Sequence, residues 1–212
     1  PVADTPSITG TTTLEDTQSD AGLVISRSAV DGSEVTHFKI TDITSGSLYQ
    51  TDGTTQITDD DFITYAQGNA GLKFSPSGDF NGTASFKLQA SLSSVDGGLG
   101  GAEVTASIAV TAVNDVPSFT VGSDQTVLED GGSQTVSNWA TALSTGPSDE
   151  SGQTLTFNMS GINAGLFAVQ PAVSSAGELS YTPADNVHGS DTVTVTLSDD
   201  GGTDNGGVDT SV

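Results

Sequence analysis

The chain says the same thing twice, and that repetition limits what it can fold into. PVADTP opens it and AVNDVP stands at 112–117. Both carry Val-x-Asp-x-Pro, from Val2 to Pro6 and from Val113 to Pro117, 113 − 2 = 111 residues apart. Four more blocks follow each copy in the same order. TTTLEDT, with Leu14, Glu15 and Asp16, is answered by TVLEDG, with Leu128, Glu129 and Asp130. VDGSEVTHFKI is answered by SDESGQTLTF, pairing Asp31 with Asp149 and Phe38 with Phe157. FSPSGDFNGTASFKL is answered by YTPADNVHGSDTVTV, in which Pro76 meets Pro183, Gly82 meets Gly189, Phe86 meets Val193 and Leu88 meets Val195. SVDGGLGG is answered by SDDGGTDNGG. Ordered self-similarity at the length of a small domain predicts two domains, 1–116 and 117–212.

The local pattern predicts strands. Phe86, Leu88 and Ala90 alternate with Lys87 and Gln89; Val104, Ala106, Ile108 and Val110 alternate with Thr105, Ser107, Ala109 and Thr111. Val193, Val195 and Leu197 repeat the period of two. Half-buried strands of this kind, broken by Gly and Asp turns, predict antiparallel β-sandwiches. SNWATAL at 137–143 predicts one helical turn capped by Ser137, with Trp139 packed in the core. The second copy reads as short of a strand. Fourteen residues, 102–115, follow the last Gly-Gly of the first copy, but only VDTSV follows Gly207. Most of a final strand is missing there, which predicts an exposed sheet edge or gap ready to pair with another chain. With no initiator Met and no signal peptide, the sequence reads as part of a longer chain.

Charge removes whole classes of partner. Lys+Arg is 4 against Asp+Glu 27, a net −23. The cations are Arg27, Lys39, Lys73 and Lys87, so the 12 carboxylates from Pro117 onward have no basic side chain in their own domain. Nucleic acid and anionic membranes need a basic footprint that is absent, and no apolar run is long enough to insert in a bilayer. Those acids are solvated or bound to a cation, and Asp in Gly-rich loops is good hard-oxygen chemistry. Catalysis finds no support. There is no Cys and no GxSxG, and the two histidines, His37 and His188, lie in different domains without a partner ligand.

VNDVP after a sandwich, LED early in the next strand and a DxSG-type loop before a strand ending in Phe together resemble bacterial cadherin-like repeats. Such repeats stand in tandem in very large surface or secreted proteins, including adhesins of the type-I-secreted RTX kind. The resemblance covers both halves. It implies an all-β chain of two tandem Greek-key β-sandwiches, cadherin/Ig-like, the second lacking most of its last strand. It also implies Ca2+ at the junction and an extracellular or bacterial cell-surface setting. Carried over by position, the ligands would be Asn114 and Asp115 from the joint. Glu15 and Asp79 would come from the lower end of the first domain, and Asp149 with Asp199 or Asp200 from the upper end of the second. Asp4, Asp31 and Asp96 would form the matching half-site at the top of the first domain. Ala112 and Val116 stand where the animal family has Asp and Asn, and the family's second acidic loop is absent, so one or two ions are expected rather than three.

The residues alone leave a second role open at each position, such as an Asx turn at Asp115 ahead of Pro117. The function expected is a calcium-rigidified spacer or adhesion repeat pair whose partners are neighbouring repeats of the same chain. The alternative is a binding module for a carbohydrate or for another copy of itself, with Tyr49, Tyr65 and Trp139 as the aromatic candidates.

Overall fold

The computed structural model describes residues 2–211 and divides them between two compact units, Pro1–Ala112 and Val113–Val212. The first unit contains β1 (Ser7–Ile8), β2 (Thr11–Leu14), β3 (Ile25–Ser26), β4 (His37–Thr44), β5 (Gly46–Tyr49), β6 (Gln56–Ile57) and β7 (Phe62–Thr64). A single-turn helix α1 (Tyr65–Asn69) follows, then β8 (Lys73–Pro76), β9 (Gly82–Ser91) and β10 (Leu99–Thr111). One sheet runs β2-β10-β9-β4-β7, a second runs β6-β5-β8, and β1 pairs with β3. The alternation in β9 and β10 places Ala84, Phe86, Leu88, Ala90, Ala106, Ile108 and Val110 in the interior. There they meet Phe38 and Ile40 of β4, Leu48 of β5 and Phe74 of β8 in one core cluster. Each large side chain buried this way contributes roughly 1.5–3 kcal/mol. Helix α1 was not expected, although its signal is in the sequence. Thr64 and Gln67 form a reciprocal capping box, the Gln67 side chain accepting from the Thr64 N–H while Thr64 Oγ1 accepts from the Gln67 N–H.

The second unit contains β11 (Ser118–Thr120), β12 (Gln134–Val136), β13 (Thr141–Ser144), β14 (Thr156–Ser160), β15 (Phe167–Val173), β16 (Leu179–Pro183) and β17 (Thr194–Ser198). Its sheets are β11-β13, β12-β16-β15 and β14-β17. The duplication extends to strand register. β4 pairs β9 with His37 opposite Ser91, Phe38 opposite Ala90 and Ile40 opposite Leu88. β14 pairs β17 with Thr156 opposite Ser198, Phe157 opposite Leu197 and Met159 opposite Val195. One offset of 157 − 38 = 119 and another of 197 − 90 = 107 superimpose the pairs from His37–Ser91 to Thr41–Lys87 on those from Thr156–Ser198 to Ser160–Thr194.

The expected helical turn at 137–143 is not formed. Residues 137 and 138 make a turn and 141–144 are strand β13. Asn138 at φ 54° and Ala142 at φ 50° leave the right-handed helical region, and the Ser137 hydroxyl bonds the Glu178 carboxylate at 3.3 Å instead of capping. Trp139 is half-buried, its indole N–H donating to the Ser123 carbonyl at 3.1 Å.

A second shared device sits at the loops of each unit. Asp16 Oδ1 accepts the Asp79 N–H at 3.1 Å, and Asp130 Oδ1 accepts the Asn186 N–H at 2.8 Å. Asp79 and Asn186 both adopt left-handed φ, 55° and 57°, a conformation Asp and Asn tolerate better than most side chains. The Asp of LED is therefore a loop clamp. Asp16→Ala is expected to cost the first unit about 1–2 kcal/mol, read as faster amide exchange at 77–82 with Trp139 emission unchanged; unchanged exchange there would deny the clamp.

Candidate metal site at the upper end of the second unit

Five side chains from three segments meet where the second unit begins. Asn114 and Asp115 lead into β11, Glu150 and Gln153 border the 3-10 turn Ser148–Glu150, and Asp199 follows β17. Glu150 Oε1 accepts the Asp115 N–H at 2.9 Å. Asn114 Nδ2 donates to Asp199 Oδ1 at 3.0 Å and to the Val208 carbonyl at 2.9 Å, while Asn114 Oδ1 accepts from Gln153 Nε2 at 2.7 Å. The Gly201 N–H adds a second bond to Asp199 Oδ1 at 3.0 Å. Space is tight by construction. A Cβ on Gly201 would fall 1.7 Å from Asn114 Oδ1, and one on Gly146 would fall 1.9 Å from Glu150 Oε2.

These bonds leave one oxygen over on each of three residues. Glu150 Oε2, Gln153 Oε1 and Asp199 Oδ2 are buried with no hydrogen-bond partner, and Glu150 is only 8% exposed. A buried acceptor left unsatisfied costs about 1–3 kcal/mol, more for a charged group. Burial pushes the Glu150 carboxyl above its ordinary range. The Asp115 N–H opposes that rise, and the carboxylates of Asp115, Asp149 and Asp199 add to it. Like charges held together with spare oxygens are what a hard divalent cation would relieve. Among the described residues no three Asp, Glu or His side chains are gathered tightly enough to hold an ion by themselves. An ion here therefore needs amide oxygen as well, and Gln153 Oε1 is a buried amide oxygen with no hydrogen-bond partner. The donor set is all oxygen and fits calcium in kind.

The expected residues fall into several roles. Asn114 spends its amide group on ordering Asp199 and Gln153. Asp149 is exposed beside Glu150. Asp200 Oδ1 accepts the Thr154 N–H at 2.7 Å, which holds its carboxyl below the usual range. Glu15 and Asp79 lie in the first unit; Glu15 is buried, its N–H donating to the Thr111 carbonyl at 2.9 Å, and Asp79 is exposed.

In the first unit Asp4 and Asp31 do come together, the Asp4 N–H meeting the Asp31 carboxylate at 3.1 and 3.2 Å. Asp96 is paired elsewhere, 2.8 Å from Lys39 Nζ. Register explains the difference between the two ends. Asp199 corresponds to position 199 − 107 = 92, a leucine, and Asn114 to 114 − 111 = 3, an alanine.

Glu150 and Gln153 are the residues that sequence comparison passed over. The signal for Glu150 was a slip of one. Pairing Phe38 with Phe157 sets an offset of 119, under which Asp31 corresponds to 31 + 119 = 150, Glu150, rather than to Asp149. The bonds Asp31 to Asp4 and Glu150 to Asp115 are the same bond in each unit.

The Bacterial Ig domain family matches residues 114–211. Among solved structures, mouse cadherin-23 EC22-24 is similar in fold, with a TM-score of 0.57 and 14% sequence identity over 98% of this chain. This chain spans 64% of that one. A comparison with curated proteins gives no match. Matching registers, paired sheets and the likeness in fold lead to one conclusion: the chain folds as two tandem β-sandwiches of cadherin/Ig-like type, the second of which matches the Bacterial Ig domain.

Proposed function

We propose that this chain is a calcium-dependent spacer or adhesion repeat pair from a large extracellular protein of a bacterial surface. The observation that carries the reading is the group of three buried oxygens without partners, Glu150 Oε2, Gln153 Oε1 and Asp199 Oδ2. A calcium ion bound there neutralises the repulsion around Glu150 and fixes Asn114 and Asp115, which belong to the segment arriving from the first repeat. A chain of sandwiches tied at such segments extends and stiffens without performing chemistry. Bacterial Ig and cadherin-like repeats are typically extracellular, and no helix among the described residues is long and apolar enough to cross a membrane. Extracellular calcium modules bind at about 10⁻⁴–10⁻³ M, so the site would fill where calcium is millimolar.

A glycan-stacking role has less support. Tyr65 carries the Arg27 guanidinium 3.5 Å from its ring centroid, which occupies that face. The test is small-angle scattering in EDTA and in millimolar calcium, alongside Asp199→Ala. The expected result is a longer, stiffer particle in calcium and no response in the variant. A profile indifferent to calcium would remove the spacer reading, and glycan binding would then be examined.

A further inference from the structure

Attachment of a sugar to an asparagine amide needs Asn-x-Ser/Thr, with x other than Pro, on an accessible loop. Two such tripeptides occur in this chain, Asn81-Gly82-Thr83 and Asn158-Met159-Ser160. The fold treats them differently. Asn81 stands in the turn between β8 and β9, inside the block FSPSGDFNGTASFKL. That turn is pinned at its base. The Ser77 N–H donates to the Ser45 carbonyl at 2.9 Å, the Phe80 N–H to the Ser77 carbonyl at 3.1 Å and the Asp79 N–H to Asp16 Oδ1 at 3.1 Å. Phe80 packs against the core. Asp79, Gly82 and Thr83 stay exposed, with Asn81 half-buried among them. Gly82 has φ 122°, a conformation that residues with a Cβ rarely adopt, so the chain bends within the tripeptide. A Cβ placed there would meet, beyond its chain neighbours, Phe80 alone, at 3.8 Å. The middle of the tripeptide is open to an approaching molecule.

Asn158 is placed in the opposite way. It lies in the middle of β14, opposite Thr196, with Ser160 opposite Thr194. Its Nδ2 donates to Ser198 Oγ at 2.8 Å, so an enzyme would have to open a strand ladder to bend the chain there. The duplication also shows that the turn at 77–82 does not need Asn81 for its shape. At the offset of 107, Asn81 corresponds to 81 + 107 = 188, His188, while Gly82 corresponds to Gly189. The second repeat keeps the glycine, the left-handed residue at Asn186 and the clamp from Asp130 without an acceptor at 188. The first repeat alone carries, on one turn, a carboxylate, an amide and a hydroxyl at every second position: Asp79, Asn81 and Thr83.

We propose that Asn81 is an N-glycosylation acceptor, taking a sugar from a sugar diphosphate in the active site of a glycosyltransferase. The bond formed joins Asn81 Nδ2 to C1 of the sugar. The bond broken is that between C1 and the diphosphate oxygen, and the diphosphate leaves with the electron pair. One Nδ2 proton passes to a base of the transferase. An amide nitrogen is a weak nucleophile, because its lone pair is shared with the carbonyl, so catalysis depends on holding it in place. The Thr83 hydroxyl gives the enzyme a hydrogen-bonding handle on one side of the amide and the exposed Asp79 carboxylate a charged one on the other. The product is a bulky, solvating group on the β8–β9 turn of the first repeat.

The test offers the folded chain to two donors in separate reactions. One is UDP-glucose with a soluble N-glycosyltransferase, the other a polyprenyl-diphosphate oligosaccharide with a membrane oligosaccharyltransferase. Mass mapping of peptides then locates the product. The expected result is a whole sugar mass at Asn81 in at least one reaction, which identifies the source of the donor, with Asn158 unmodified while the chain is folded. Asn81→Gln and Thr83→Val should lose the product entirely, and Thr83→Ser should keep it. Asn81→His, which installs the residue of the second repeat, should lose the product while hydrogen exchange over β9 stays as in the parent, so that the loss is not one of folding. The proposal is overturned if neither donor modifies Asn81, if its peptide gains only the small mass of deamidation at Asn81-Gly82, if Asn158 is modified to an equal or greater extent, or if Thr83→Val is modified like the parent.

Discussion

Phe86→Ala is expected to destabilise the first repeat by about 3–5 kcal/mol, the range for emptying a fully packed aromatic site. Phe86 is 0% exposed and lies opposite Ala106, between β4 and β10. Neighbours on both sides belong to continuous strands, so the backbone has little freedom to collapse into the space. Domains of this size have about 5–15 kcal/mol in total, so the variant should sit close to unfolding at moderate temperature. Hydrogen exchange over β4, β9 and β10 reads the loss. The corresponding residue of the second repeat, Val193, and its neighbour Val195 are only half-buried and line a cavity. Val195→Ala should therefore cost no more than about 1 kcal/mol, read through Trp139. Similar losses in the two repeats would mean that the second core is closed in solution.

Calcium is expected to raise the stability of the second repeat by about 1.4 kcal/mol at tenfold excess over Kd and by about 2.7 kcal/mol at hundredfold. Glu150 decides both this response and the pH dependence in EDTA. Its folded carboxyl binds a proton more tightly than it would unfolded, because of burial and the carboxylates beside it. The folded state then holds more protons than the unfolded state, and stability falls as pH rises from the ordinary Glu range through the raised one. Glu150→Gln should flatten that fall and leave the EDTA-treated repeat at least as stable near neutral pH. In calcium the same variant should lose most of the metal-induced gain. Thermal melts followed by Trp139 in both media give the four numbers required. A variant that still gains fully from calcium would place the ion elsewhere.

Much of this molecule could be read before any coordinates. The alternation at 84–90 and 104–110 became the wall of the first core, and the duplicated blocks became two sandwiches whose strand registers coincide. What escaped the sequence did so for local reasons. SNWATAL has the composition of a helical turn, but two left-handed residues and the pull of β11 made it a turn and a strand. In SDESG two acids stand side by side, and simple likeness to Asp31 favoured the first. Only strand register, fixed eight residues later by Phe157, shows that the second is the buried one. Gln153 had no signal of its own, since an amide becomes a candidate ligand only when its carbonyl is seen to be buried and unused.

The scarcity of cations has a consequence for durability. Proteases of the trypsin kind require Lys or Arg at the cut, held by an acid in their specificity pocket, and they reach it best at mobile loop tips. Here Lys39, Lys73 and Lys87 all lie within paired strands. Arg27 is held by its Nε–H to the Val35 carbonyl at 2.7 Å and by the Tyr65 ring. The segment 112–117 and everything after it offer no such bond. A digestive enzyme of this class can open the chain only after the first repeat has unfolded, and 88–212 would survive even then as one piece.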